Sequence, residues 1–390
     1  MSEPIEIKGE IEICRMEELR LPPHLDGSQG SNRRRDAPNQ LGATNDLEAL
    51  RCFLAEYDGS PATQRAYRKE VERLLLWSVL ERGRPLSSLT REDFAAYAAF
   101  LANPGPRWCG PRRGRASRRY APGWRPFVGP LSPSAQRTAL CIIHSMLSYL
   151  VQAGYLLGNP LALVRQRDQL GAGPQTSRQR VSDRCFTAVQ WQALLDTVEG
   201  LTHQDSPAAA ARARFWVALL HFLALRIGEA ATHRMGDFHC RRGRWYFRVL
   251  GKGRKEAELP VGTQMLEELR RYRQHLGLPL LPEPDEDRPL LLDLSGQRAV
   301  STRRASQVIK ALLHRAASRL EATDPVEADR LRRASAHWFR HTALTRQWEK
   351  GIPLPHIKAN ARHARLDTTL LYVHTEEEAR HLEIEKHTWT

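Results

Sequence analysis

The chain has 390 residues, 41% of them apolar and 26% charged, which is enough for two domains with separate cores. No stretch approaches the roughly 20 apolar residues that a membrane-spanning helix needs, and the N-terminus MSEPIEIKGEIEICRM has no signal-like pattern. The 59 Lys and Arg against 44 Asp and Glu give a net charge of +15, and a basic balance with Arg as the favoured cation points to a polyanionic partner.

Residues 1–43 are polar, carry Arg33, Arg34 and Arg35, and lack an apolar period, so they are expected to be a flexible N-terminal extension. Four helical patterns follow within 44–165. NDLEALRCFLAEY opens on Asn45, and SPATQRAYRKEVERLLLWSVLERG opens on Ser60 with Pro61 at the first helical position. LTREDFAAYAAFLAN has Thr90 as its cap with acids in the first turn, and LSPSAQRTALCIIHSMLSYLVQAGYLLGNP opens on Ser-Pro. The spacing predicts a compact helical domain.

An Arg-rich insertion at 104–130 separates the third and fourth helices. It holds Arg107, Arg112, Arg113, Arg115, Arg118, Arg119 and Arg125 without a single acid, interleaved with Trp108, Tyr120, Trp124 and Phe127. Such a stretch is either a solvated loop or an arm that tracks phosphates and stacks rings on bases. Residues 166–182 have linker composition.

The second domain, 183–390, opens on the helical TAVQWQALLDTVEG and a buried helix in RARFWVALLHFLALRIGEAATH. RWYFRVL and AELPV bracket the turn GKGRKE and read as a β-hairpin, after which helices resume with STRRASQVIKALLHRAASRL. The expected fold is mainly α with a small antiparallel sheet. Six scattered cysteines without a CxxC pair indicate reduced thiols in a cytosolic protein.

Candidate chemistry gathers in this second domain. Arg226 follows the buried helix with Glu229 three residues on, Lys252 sits at the hairpin tip, and His337 and Arg340 share a helical face. His363 and Tyr372 are nine residues apart, which on one helix would face them in opposite directions, so a turn is needed between them; Asp367 offers a new N-cap. His337 and His341 alone do not make a metal site, since the Glu of a metalloprotease helix and a third ligand are both lacking.

As a set, these residues suit metal-free phosphodiester transfer. Two guanidiniums can hold the charge of a pentacoordinate phosphate, a lysine can protonate the leaving oxygen, and histidines can manage protons. A tyrosine can form a covalent phosphotyrosine that stores the bond energy for religation, and no nucleotide-binding loop is present to supply ATP.

Arg226, Lys252, His337-x-x-Arg340, His363 and Tyr372 resemble the active site of the tyrosine recombinases, the phage integrase family, in order and approximate spacing. LRIGE is similar to that family's Leu-Arg-Ile-Ser-Glu, VLGKGRKEAELPV to its lysine hairpin, and SPATQRAYRKEVERLLLW to its helical core-binding domain. The resemblance implies that Arg226 and Arg340 clamp the scissile phosphate, that Lys252 is the general acid, and that His337 assists proton transfer at Tyr372. It further implies that His363 contacts the phosphate, that Glu229 braces the site, and that no metal or other cofactor takes part.

The implied substrate is double-stranded DNA with paired core half-sites, recombined by a homotetramer through a Holliday junction. A partner recombinase or an accessory DNA-bending protein is compatible with this reading. A type IB topoisomerase, which usually carries Lys in place of His337, and a non-catalytic DNA-binding relative are the alternatives. The chain departs from the family at Ala361-Arg362, where Leu-Gly is usual before the second histidine, and at Ala224, where Gly is frequent. Glycine commonly marks a special backbone angle.

Overall fold

The computed structural model describes Met16 and residues 19–111, 124–164, 184–204, 206–251 and 256–362. The chain divides into two compact units at residues 172/173.

In the N-terminal unit, helices α1 (Asp46–Ala55), α2 (Pro61–Leu80), α3 (Arg91–Ala102) and α4 (Pro133–Gln152) begin where the local sequence specifies caps. The Asn45 side chain accepts from the Glu48 amide, Thr90 and Asp93 form a reciprocal capping box, and Ser132 accepts from the Ala135 amide. The inward faces, with Leu50, Phe53, Leu74, Phe94, Tyr97, Ile143 and Met146, make one apolar core.

The expectation of a flexible extension needs correction for residues 19–43, which pack on this helical unit. Leu19 and Leu25 are buried, the Asn32 amide donates to the Ser87 carbonyl at 2.8 Å, and the Arg34 amide donates to the Tyr155 carbonyl at 3.1 Å. Buried Asp46 accepts from the Tyr155 hydroxyl at 2.8 Å and the Ser87 amide at 2.9 Å. Gly27 approaches so closely that a Cβ there would lie 2.1 Å from Asp46 Cγ. Single apolar anchors and backbone bonds hold this segment, and neither produces a periodic sequence pattern.

The Arg-rich insertion has an ordered base. Trp108 and Phe127 are core residues at 2% and 0% exposure, not the base-stacking rings that the sequence suggested for them. The Phe127 amide donates to the Trp108 carbonyl and the Gly110 amide to the Phe127 carbonyl. Arg73 donates twice to the Pro126 carbonyl, at 3.0 and 2.8 Å, with its guanidinium 4.3 Å from the centre of the Phe127 ring.

The C-terminal unit contains α5 (Ala188–Gln204), α6 (Pro207–Phe222), α7 (Ile227–Thr232), α8 (Thr263–His275), α9 (Thr302–Leu320), α10 (Pro325–Arg333), α11 (Ala336–Glu349) and α12 (Leu354–Ala361). With α1–α4 this makes twelve α-helices among the described residues. They accompany one antiparallel sheet of order β1 (Phe238–Arg241), β2 (Arg244–Leu250), β3 (Glu256–Pro260). Phe247 pairs with both Phe238 and Leu259, so one sheet face buries three large side chains against the helices. The segment expected as one buried helix breaks after Phe222, because Ala224 takes a left-handed conformation (φ 47°) before α7 begins. None of the described helices is long and apolar enough to cross a membrane.

Candidate active site

Arg226 is the residue that precedes α7, and Glu229 lies in that helix's first turn. One Glu229 oxygen accepts from Arg226 Nη1 at 2.8 Å and the other from the Arg226 backbone amide at 2.8 Å. The second oxygen also accepts from Arg362 Nη2 at 2.6 Å. Burial by itself would raise the Glu229 pKa. The Arg362 charge and the Arg226 amide and guanidinium outweigh it and hold the carboxyl below its usual range. Arg226 keeps a side-chain exposure of 41%, which leaves it open to an anion from solvent.

Arg340, on α11, is 1% exposed. Its Nη1 donates to the Ala224 carbonyl at 2.6 Å and its Nη2 to the Ala361 carbonyl. Beneath it Ala224, Ala343, Leu344, Ile357 and Ala361 form a small apolar cluster that seats α12 on α11.

His337, one turn before Arg340, is exposed and packs edge-on against His341, with ring centres 4.5 Å apart. Loss of hydration on its protein side, then the charges of Arg340, Arg226 and Arg184, lower its pKa below the ordinary imidazole value. Imidazole and both candidate phosphate-binding arginines therefore share one electrostatic environment, although they come from two elements far apart in sequence. A neutral imidazole beside two guanidiniums can take a proton from a nucleophile while the cations receive an anion.

The structure also gives contacts to two residues to which the sequence assigned no role. His233, at the end of α7, accepts from the Leu250 amide at Nε2 (2.8 Å), and its Nδ1 lies 2.7 Å from the Glu229 carbonyl. These two bonds fix the tautomer with the proton on Nδ1. They join the arginine-bearing helix to the end of β2, two residues before Lys252. Arg362 is the other. It closes α12 in a left-handed conformation (φ 55°, ψ 40°), the kind of backbone that the departure from glycine had signalled. No local pattern marks either residue, since their partners are 17 and 133 positions away.

Lys252, His363 and Tyr372 lie outside the described residues, as do Arg112, Arg113, Arg115, Arg118 and Arg119. Of the remaining insertion arginines, Arg107 pairs with Glu81, and Arg125 donates to the carbonyls of Arg107 and Trp124. Both therefore brace the base of the insertion.

The family model described as "Phage integrase family" matches residues 184–379, just over half of the chain. The chain is 25% identical over 312 residues to "Tyrosine recombinase XerC" of Mycobacterium tuberculosis (strain ATCC 25177 / H37Ra), covering 80% of this chain and 87% of that protein. It is 26% identical over 334 residues to the XerC of Pelobacter propionicus, covering 84% and 91%. Among solved structures it is similar to XerH site-specific recombinase bound to difH substrate, with a TM-score of 0.54 at 14% identity, covering 89% of this chain and 85% of that one. It is also similar to the Tn1549 transposon integrase in complex with transposon right-end DNA, with a TM-score of 0.57 at 14% identity and coverage of 87% and 98%. These structural likenesses bear on the fold.

Proposed function

The chain belongs to the phage integrase family and is a site-specific DNA recombinase, and we propose that Arg226, Lys252, His337, Arg340, His363 and Tyr372 carry its reaction. The observation that supports this most is the bond from Arg340 Nη1 to the Ala224 carbonyl, two residues before Arg226, with His337 one turn from Arg340 on the same helix and Glu229 fixing Arg226.

In this reading the Tyr372 phenol oxygen attacks the scissile phosphorus and His337 takes its proton. A lowered pKa keeps that imidazole unprotonated at neutral pH, as a base must be. Arg226 and Arg340 offset the charge that grows on the non-bridging oxygens, and His363 donates a hydrogen bond to the phosphate. The bond to the 5′-oxygen breaks, Lys252 protonates that oxygen, and a 3′-phosphotyrosine and a free 5′-hydroxyl result. Attack by the 5′-hydroxyl of a partner strand reverses each transfer, so the sum consumes neither water nor nucleotide.

We further assign double-stranded DNA with paired core half-sites as substrate, a homotetramer as the working assembly, and the cytoplasm as its location. Arg112, Arg113, Arg115, Arg118 and Arg119 would follow DNA phosphates beside the core site.

Covalent capture tests the assignment. The protein is incubated with DNA from its own genetic neighbourhood and denatured in SDS, and the attached DNA is sequenced, with Tyr372→Phe in parallel. Wild type should retain DNA that maps to paired inverted half-sites, and the Phe variant should bind DNA but retain none. Equal retention by both proteins would overturn the role of Tyr372, and scattered attachment would point to topoisomerase action.

A further inference from the structure

Arg362 combines three features that packing alone does not require together. Its backbone is left-handed, a conformation that side chains other than glycine rarely adopt, and only Ala224, Arg242 and Asp285 share a positive φ among the described non-glycine residues. Its side chain turns inward to 7% exposure. Its guanidinium donates to Glu229 Oε2 at 2.6 Å and to the Asn360 carbonyl at 2.9 Å.

Glu229 is thus held by two guanidiniums on different oxygens, Arg226 on Oε1 and Arg362 on Oε2. The Arg226 amide also holds Oε2, but as a neutral backbone donor at the start of the same helix; the Arg362 guanidinium is the second cation on the carboxylate and ties its plane to α12 as well as to α7. Burial and the nearby Arg226 charge both work against the Arg362 cation, and the Glu229 carboxylate is what favours it there. Immediately before Arg362, the Ala361 carbonyl accepts from Arg340. One turn of backbone therefore reaches both arginines of the site, one through Glu229 and the other directly.

We propose that Arg362 is a positioning residue for recombination: through Glu229 it sets the Arg226 guanidinium at the angle needed for the scissile phosphate. The proposal rests on the reading that Arg226 binds that phosphate. Arg362 touches no reacting atom and acts only through its neighbour.

Glycine suits the left-handed backbone, so Arg362→Gly removes the side chain without imposing strain. The test measures single-turnover formation of the covalent complex, together with DNA affinity and melting temperature. It uses a duplex carrying the site recovered by capture, and compares wild type, Arg362→Gly, Arg362→Lys and Arg226→Ala.

The expected result is a Gly variant that folds and binds DNA like wild type but cleaves on the order of tenfold to a hundredfold more slowly, as a displaced binding group would. Lys, which restores the charge but not the fork, should recover part of that rate. Wild-type cleavage by Arg362→Gly, with Arg226→Ala inactive, would overturn the inference and leave the reading of Arg226 intact. Wild-type cleavage by Arg226→Ala would overturn that reading itself. A Gly variant whose loss of rate is matched by lost DNA binding or a lowered melting temperature would make Arg362 a purely structural residue.

Discussion

Arg340 donates from Nη1 to the carbonyl of Ala224, a residue 116 positions earlier whose own backbone is left-handed. The same guanidinium reaches the Ala361 carbonyl, next to the second left-handed corner of the site. A planar fork can bridge two carbonyls; an ammonium is a point donor.

Arg340→Lys should therefore lower stability as well as activity, although it keeps the charge. Leaving one buried carbonyl without its donor costs about 1–3 kcal/mol. Chemical denaturation should show a loss of that size, accompanied by slower covalent capture. A variant as stable as wild type would mean that the two carbonyl bonds contribute nothing.

His233 links the Glu229 carbonyl to the Leu250 amide, so His233→Leu should free the end of β2. Hydrogen exchange at the Leu250 amide is expected to accelerate, and cleavage to slow because Lys252 follows two residues later. Unchanged exchange at Leu250 would sink this expectation.

The acid limb of cleavage should follow His337. Its pKa is lowered, so the ring stays neutral until the pH falls below the ordinary value of 6.5, and the rate should decline only under that point. Arg184 contributes to the lowering, and its removal lets the ring protonate more readily. Arg184→Gln should therefore move the limb towards higher pH. A limb that stays in place, or moves down, would separate the pH dependence from His337.

Deleting residues 1–43 should destabilise the N-terminal unit. Burying a leucine contributes about 2 kcal/mol, so losing Leu19 and Leu25 alone removes roughly 4 kcal/mol. Thermal unfolding of the truncated chain should show an earlier transition. Coincident melting curves would return the segment to the status of a loose extension.

The contrast between what the sequence revealed and what it hid follows from the range of the interactions. Asn45, Thr90 and Ser132 cap helices through bonds to residues three positions on, so a short window contains the whole cause. His337 and Arg340 share a helical turn, and their adjacency is fixed by period alone. Residues 19–43 are held instead by contacts such as Asn32 to Gly158, 126 positions apart, which no window displays. β1 is four residues long, too short for alternation to stand out. Trp108 and Phe127 sit among arginines in sequence yet in the core in space, so composition assigned them to the wrong surroundings. Arg362 looked like a defect where glycine was expected, and only the distance to Glu229 shows that the side chain is used.

The base of the Arg-rich insertion carries one more implication. Trp108, Phe127 and the Arg73 clamp on Pro126 fasten both ends of the segment to the helical core. That base is continuous with the core of the N-terminal unit, so substitutions at Trp108 or Phe127 act first on the stability of the helical scaffold, as losses of buried aromatic surface.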